Sequence, residues 1–118
     1  MKALVKDKAE PGLWLTDVPE PAIGADDVLI KVLRTGICGT DLHILQGEFA
    51  PKLPIVPGHE FAGTVVATGA QVTEVTTGDR VAVDPSLYCY ECRYCRSGHN
   101  NLCERWAAIG VTTAGGAA

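Results

Sequence analysis

Four cysteines fall within fifteen residues: Cys89, Cys92, Cys95 and Cys103, spaced C-x2-C-x2-C-x7-C. Gaps of two let the chain turn so that successive sulfurs face one point, and the seven-residue return brings in a fourth. Four thiolates on a tetrahedron suit zinc as a closed structural site. The lobe over 88–104 is too short and too polar to bury a core of its own, so metal ligation must supply its folding energy. Three other uses of the thiols compete. Disulfides belong to oxidising compartments, and Met1-Lys2-Ala3-Leu4-Val5-Lys6 is interrupted by charge before any signal-peptide apolar region forms. The bacterial ferredoxin run has a short x3 gap followed by Cys-Pro, whereas here the gap is seven and Glu104 follows. Unligated buried thiols do not occur at this density by habit. His99 lies within the loop and is expected to be an exposed loop residue. Arg93, Arg96 and Arg105 are placed to offset the charge that four thiolates leave after one Zn2+.

The rest of the chain reads as mostly β. Its 118 residues fit one domain with a modest core. A net charge of -4 provides no basic face for nucleic acid, and no apolar run is long enough to cross a membrane. A cytoplasmic location is the default expectation. Strands are expected over 2–6, 13–18, 28–35, 61–68, 80–84 and 106–111, from β-branched residues and flanking turn signals. The 28–35 run is the strongest. Gly63 within 61–68 points to a bulge or a close backbone approach. Thr40 to Leu45 reads as a short helical turn closed by Gly47, and the three prolines of 48–57 as an irregular, packed loop. Residues 112–118 read as small and featureless, cut from inside a larger protein. The expected architecture is a twisted sheet or partial barrel carrying a metal lobe.

Cys38 stands apart from the quartet, between Gly36-Ile37 and Gly39-Thr40. His59 and Glu60 follow the proline-rich loop. A thiolate, an imidazole and a carboxylate are all good zinc ligands, and three protein ligands with an open position describe a catalytic zinc. Taken singly, a lone cysteine is more often a small buried hydrophobe, and a lone histidine a satisfied core or surface group.

The segment Gly58-His59-Glu60-Phe61-Ala62-Gly63-Thr64-Val65-Val66-Ala67-Thr68-Gly69-Ala70-Gln71-Val72 fits the pattern G-H-E-x2-G-x5-G-x2-V without departure. With the Gly36–His43 segment and the cysteine lobe, in that order, the chain resembles the zinc-containing medium-chain alcohol dehydrogenases, on the polyol, threonine and secondary-alcohol side. The resemblance implies a mainly β, GroES-like partial barrel with few helical turns. It implies that Cys38, His59 and Glu60 are catalytic-zinc residues, with Glu60 either ligating or exchanging with water. It implies Thr40 as acceptor of the alcohol proton and His43 as the group passing it outward through the cofactor ribose. Cys89, Cys92, Cys95 and Cys103 correspond to the structural zinc ligands. Asp41 and Asp79 are read as structural, bonding local backbone. The alternative for Thr40 is a helix cap, and for His43 a merely exposed side chain.

No G-x-G-x-x-G follows a strand, so no dinucleotide fingerprint is present. In the family that domain lies downstream, as does a further ligand of the catalytic zinc. The chain is therefore expected to act as the N-terminal catalytic domain, 1–118, of an NAD- or NADP-dependent enzyme that is homo-oligomeric at full length and takes a small alcohol or polyol. Alone it is expected to be inactive, to hold the second zinc weakly, and to leave apolar sheet surface uncovered. Competing functions are a metal-stabilised binding or assembly module and a small iron–sulfur or rubredoxin-like electron carrier.

Overall fold

A computed structural model describes residues 1–49 and 52–118. Ala50 and Pro51, in the proline-rich loop, lie outside the described residues. Among the described residues, seven strands and two short α-helices make up a mainly β molecule. Strand β1 (Lys2–Val5) pairs antiparallel with β2 (Trp14–Asp17). The central sheet holds β3 (Val28–Thr35), β4 (Phe61–Thr68) and β5 (Arg80–Ala82) in the order β3-β4-β5. A third, small sheet joins β6 (Ser86–Leu87) to β7 (Ala107–Ala108). Helix α1 (Gly39–Gln46) follows β3, and α2 (Arg93–Arg96) lies in the cysteine lobe, followed by a 3-10 turn over Asn100–Leu102.

The long β-branched run is an edge strand among the described residues, and β4 takes the middle place. The β3/β4 register slips at Leu29/Ile30 and again at Val32/Arg34, where Gly63 pairs with Val32. Each slip adds a residue to one strand and bends the pair, so the disturbance expected at Gly63 is a bulge whose extra residue, Leu33, sits on the partner strand. At the far end Thr35 pairs with Phe61. That pairing decides the chemistry below, because the residues just after β3 and just before β4 then share one end of the sheet.

Three expected elements differ. β5 stops at Ala82 rather than at residue 84: Asp84 accepts from the Ser86 N–H at 3.0 Å and Pro85 has no N–H to offer. The strand expected over 106–111 shrinks to Ala107–Ala108, because the Ala108 carbonyl takes up the N–H groups of Val111, Thr112 and Thr113 and turns the chain. The tail over 112–118 is not featureless. Gly115 N donates to Val56 O at 2.7 Å, Gly116 N to Gly58 O at 2.9 Å and Ala117 N to Pro57 O at 3.1 Å, while Ala117 O accepts from Leu4 N at 2.9 Å. The tail therefore straps the loop before His59 to β1, entirely through backbone groups.

The core is small: Ala3, Val5, Ile44, Ile55, Val65, Ala108 and Val111 are its buried apolar residues outside the cysteine lobe. Ile55 bonds Lys6 in both directions, at 2.8 and 2.9 Å, which draws the proline-rich loop onto the end of β1. Apolar surface is left open as expected, with Leu33, Val66 and Ile37 at 47%, 42% and 77% exposure. No helix among the described residues is long and apolar enough to cross a membrane.

Candidate metal centres

The sulfurs of Cys89, Cys92, Cys95 and Cys103 converge. All four lie within 4.8 Å of one another, with Cys103 to Cys89 at 3.5 Å and Cys89 to Cys95 at 4.0 Å, and none is in a disulfide. Helix α2 begins at Cys92 as its N-cap and turns Cys95 back toward Cys89. The lobe wraps its own sulfurs in N–H groups: Cys92 N donates to Cys89 Sγ and Cys89 N to Cys103 Sγ, both at 3.4 Å. The Cys92 and Glu91 N–H groups pull the Cys89 thiol down to about 6, and that of Cys95 lowers Cys92. Burial and the neighbouring Cys92 sulfur push Cys95 up to about 12. Thiolates packed this closely repel one another, and the rise at Cys95 reflects it. A divalent cation removes that conflict, and a soft four-thiolate set with this spacing fits zinc.

The arginines do less for the sulfurs than expected. Arg93 pairs with Glu104 at 3.0 Å and stacks on Tyr94, whereas Arg105 pairs with Glu91 and also faces Cys89. Both ion pairs close the lobe across its ends. His99 is exposed, with its Nδ1 3.1 Å from Ser97 Oγ, and takes no part in the quartet.

The second set also comes together. Cys38 and His59 are 21 residues apart, yet Cys38 Sγ lies 2.9 Å from His59 Nε2, and a Glu60 oxygen completes a group whose ligand atoms are all within 4.8 Å. The Thr35–Phe61 pairing brings the two segments to one end of the sheet. Gly36 N donates to Glu60 O at 2.6 Å, and a Cβ on Gly36 would stand 2.7 Å from Glu60 Oε2. A side chain at Gly36 would therefore displace the Glu60 carboxylate. A cleft lined by Gly36, His59, Glu60, Phe61 and Val83 opens beside the group.

The N-cap of α1 is Cys38, not Thr40. Thr40 N donates to Cys38 Sγ at 3.3 Å, and Asp41 Oδ2 accepts from Cys38 N at 2.9 Å, a capping box with sulfur in place of the usual hydroxyl. Thr40 is half-buried at the second helical position, and His43 follows on the same face, three residues on. Asp79 bonds local backbone as expected, accepting from Thr76 N at 2.8 Å.

Residues 24–118 match the alcohol dehydrogenase GroES-like domain. The chain belongs to this family. Over 115 residues, 94% of this chain and 34% of the relative, it is 57% identical to the L-threonine 3-dehydrogenase of Streptomyces avermitilis. Among solved structures it resembles a Sinorhizobium meliloti 1021 protein bound to NADP, at 41% identity and a TM-score of 0.91, covering 98% of this chain and 33% of that one. It also resembles a cobalt- and zinc-bound thermostable alcohol dehydrogenase from Pyrobaculum aerophilum, at 37% identity and a TM-score of 0.88, covering 98% and 36%. The chain spans about a third of the length of the curated relatives it matches.

Within this GroES-like domain one residue does more than its spacing announced. The other Asp41 oxygen, Oδ1, faces His59 Nδ1 at 3.4 Å; both side chains are nearly buried, at 12% and 13% exposure, and neither atom has another partner among the described residues. The pair is longer than a well-formed hydrogen bond. It still presents the ring with its Nδ1 side to a carboxylate and its Nε2 side to Cys38, the arrangement that orients a metal-ligating histidine. The capping box accounts for one oxygen of Asp41, in line with the local backbone bonding expected of it; the contact of the other crosses to a different segment and leaves no mark in the sequence. Asp41→Asn is expected to weaken cobalt(II) binding at Cys38 and His59 by about 10- to 100-fold. The check is the thiolate-to-cobalt absorption, titrated after the cysteine quartet is filled with zinc; an unchanged affinity would remove Asp41 from the site.

Proposed function

We propose that the chain is the N-terminal catalytic domain of a zinc-dependent oxidoreductase that moves a hydride from a secondary alcohol or polyol to NAD or NADP. The observation that carries this is Cys38 Sγ against His59 Nε2 at 2.9 Å with Glu60 beside them, at one end of the central sheet. In this assignment Cys38 and His59 hold the catalytic ion, with Glu60 as ligand or neighbour. Zinc held there would supply Lewis acidity toward an alcohol hydroxyl, and a bound nicotinamide would supply the hydride acceptor. The Thr40 hydroxyl accepts the alcohol proton. His43, exposed on the same helix face, passes it to solvent.

No dinucleotide fingerprint lies among these residues, and we assign the main binding of the nicotinamide cofactor to a further domain in a longer, oligomeric polypeptide. We place that protein in the cytoplasm, in keeping with five free cysteines. L-threonine, whose C3 carries a secondary hydroxyl, leads the substrate candidates, followed by polyols.

The test has two arms. The 118-residue chain, given L-threonine or a polyol with NAD or NADP, is expected to yield no reduced cofactor; turnover would contradict the need for a second domain. The longer protein is expected to reduce the cofactor and to lose at least about 10³-fold in kcat/KM on His59→Ala, since several kcal/mol of charge stabilisation leave with the ion. A His59→Ala enzyme of normal rate would remove the oxidoreductase assignment, leaving a metal-stabilised assembly module.

A further inference from the structure

Helix α1 ends in a turn that brings the chain back onto its own histidine. Gly47 adopts φ 78° at the C-cap, and the N–H groups of Glu48 and Phe49 both donate to His43 O, at 3.0 and 3.3 Å. A Cβ on Gly47 would strike the Ala9 carbonyl oxygen, so both the left-handed conformation and the close approach require glycine here. The turn lays the Glu48 carboxylate on the ring five residues earlier, with Oε2 2.6 Å from His43 Nδ1. Both side chains are open to solvent, at 62% and 63% exposure. Exposed pairs of this kind contribute only about 0–1 kcal/mol to stability. What the contact decides is the state of the ring. A carboxylate accepts and cannot donate, so Nδ1 must carry a proton, and in the neutral ring Nε2 is left with its lone pair.

We infer that Glu48 is a positioning residue for the proton exit: it holds His43 as the Nδ1–H tautomer and presents Nε2 as the acceptor. This rests on the role assigned to His43 above. The proton leaving the alcohol oxygen by way of Thr40 forms a new N–H bond at Nε2. The resulting imidazolium, stabilised by the Glu48 carboxylate, then releases one proton to water, and no electron changes hands in the transfer. The same helix thus carries a carboxylate for each of two histidines. Asp41, at its start, faces the Nδ1 of His59, whose Nε2 lies against Cys38. Glu48, just past its end, frees the Nε2 of His43. In the serine-protease triad a carboxylate fixes a histidine tautomer by the same contact.

Long-range 1H–15N correlation spectra of the zinc-loaded chain, taken at a pH where His43 is neutral, report this directly, since only three histidines need assignment. The parent is expected to show His43 protonated at Nδ1. Glu48→Gln, whose amide oxygen still accepts, is expected to keep that pattern. Glu48→Ala is expected to shift it to Nε2–H, the form an isolated histidine side chain prefers. Retention of Nδ1–H in Glu48→Ala, or Nε2–H in the parent, overturns the inference. In the longer enzyme, Glu48→Ala is expected to lower kcat by about tenfold, below the usual range for losing a general acid or base outright, with KM for the alcohol unchanged and partial recovery in Glu48→Gln. An unchanged kcat beside a slow His43→Ala enzyme also overturns it. A His43→Ala enzyme of full rate would instead sink the proton-exit role of His43 and leave the spectra to decide the tautomer.

Discussion

Cys89→Ser is expected to release about one zinc per chain and to unfold residues 88–104 while the central sheet stays folded. Within that lobe Cys103 alone is buried. Its regular structure amounts to four residues of α2 and three of a 3-10 turn. Neither can persist unaided, because a helix of one turn does not repay its own nucleation. The ion pairs Arg93–Glu104 and Arg105–Glu91 are exposed and contribute little. What remains is metal ligation, about 10–16 kcal/mol in apparent terms for structural zinc sites. Cys89 stands at the centre of the quartet, since its sulfur lies against Cys103 and Cys95 and accepts from Cys92 N. Elemental analysis after dialysis gives the stoichiometry, and trypsin reports the unfolding through Arg93, Arg96 and Arg105. The zinc-loaded parent should resist cleavage there and the variant should not. Affinity should fall as pH is lowered, because zinc must displace protons from sulfurs such as Cys95, held near 12 without metal. A variant that keeps its zinc and its resistance to trypsin would refute the closed-site assignment.

Much of this lobe was legible in advance because ligand spacing is a local property: a two-residue gap limits where the next sulfur can go. The strands over 28–35 and 61–68 were legible for a similar reason, as long β-branched runs bounded by turns, and both appear with those bounds. Legibility failed where structure is made by groups common to every residue. The tail docks through the N–H and C=O groups of Gly115, Gly116 and Ala117, which leave no mark on a side-chain pattern. Strands β6 and β7 have two residues each, too few to display alternation. The meeting of Cys38 with His59 depends on the register of β3 on β4, and residue spacing does not contain that register. Only the likeness to a family brought the two together beforehand. The partners of Asp41 and Glu48 were hidden differently. Asp41 lies in the first turn of a helix, where bonding to local backbone is the ordinary expectation, and Glu48 lies in the loop past the helix end, where the turn geometry decides what it meets. Asp41 bonds that backbone with one oxygen and serves His59 with the other.

Lys6→Met should cost the domain roughly 2–3 kcal/mol, the scale of hydrogen bonds made by a charged donor. Read as a strand end, Lys6 would be a solvated residue. In the fold it is 1% exposed, and its Nζ donates to Glu10 O at 2.6 Å, Leu45 O at 3.1 Å and Gly12 O at 3.2 Å. An ammonium group has three protons, and all three are used. Among the described residues no carboxylate pairs with it; its charge is met by carbonyls, one of them in the last turn of α1, where the helix dipole favours a cation. Methionine fills a similar volume but donates nothing. Glu10 O and Gly12 O then lose a charged donor, a bond of about 1.5–3 kcal/mol that water replaces in part. Leu45 O keeps the N–H of Gly12 at 2.8 Å and suffers less. Against a total stability of about 5–15 kcal/mol for a small domain, the loss should lower the urea midpoint sharply at unchanged slope. The effect should reach the metal centre as well. Lys6 ties the far end of α1 to β1 and to the 10–12 turn, and Cys38 caps the near end of the same helix. Cobalt(II) affinity at Cys38 and His59 should therefore fall in Lys6→Met even at low temperature, where the domain remains folded. A variant within about 1 kcal/mol of the parent, the scale of an ordinary surface substitution, would mean that the three carbonyls find other donors and that Lys6 is no anchor for the helix.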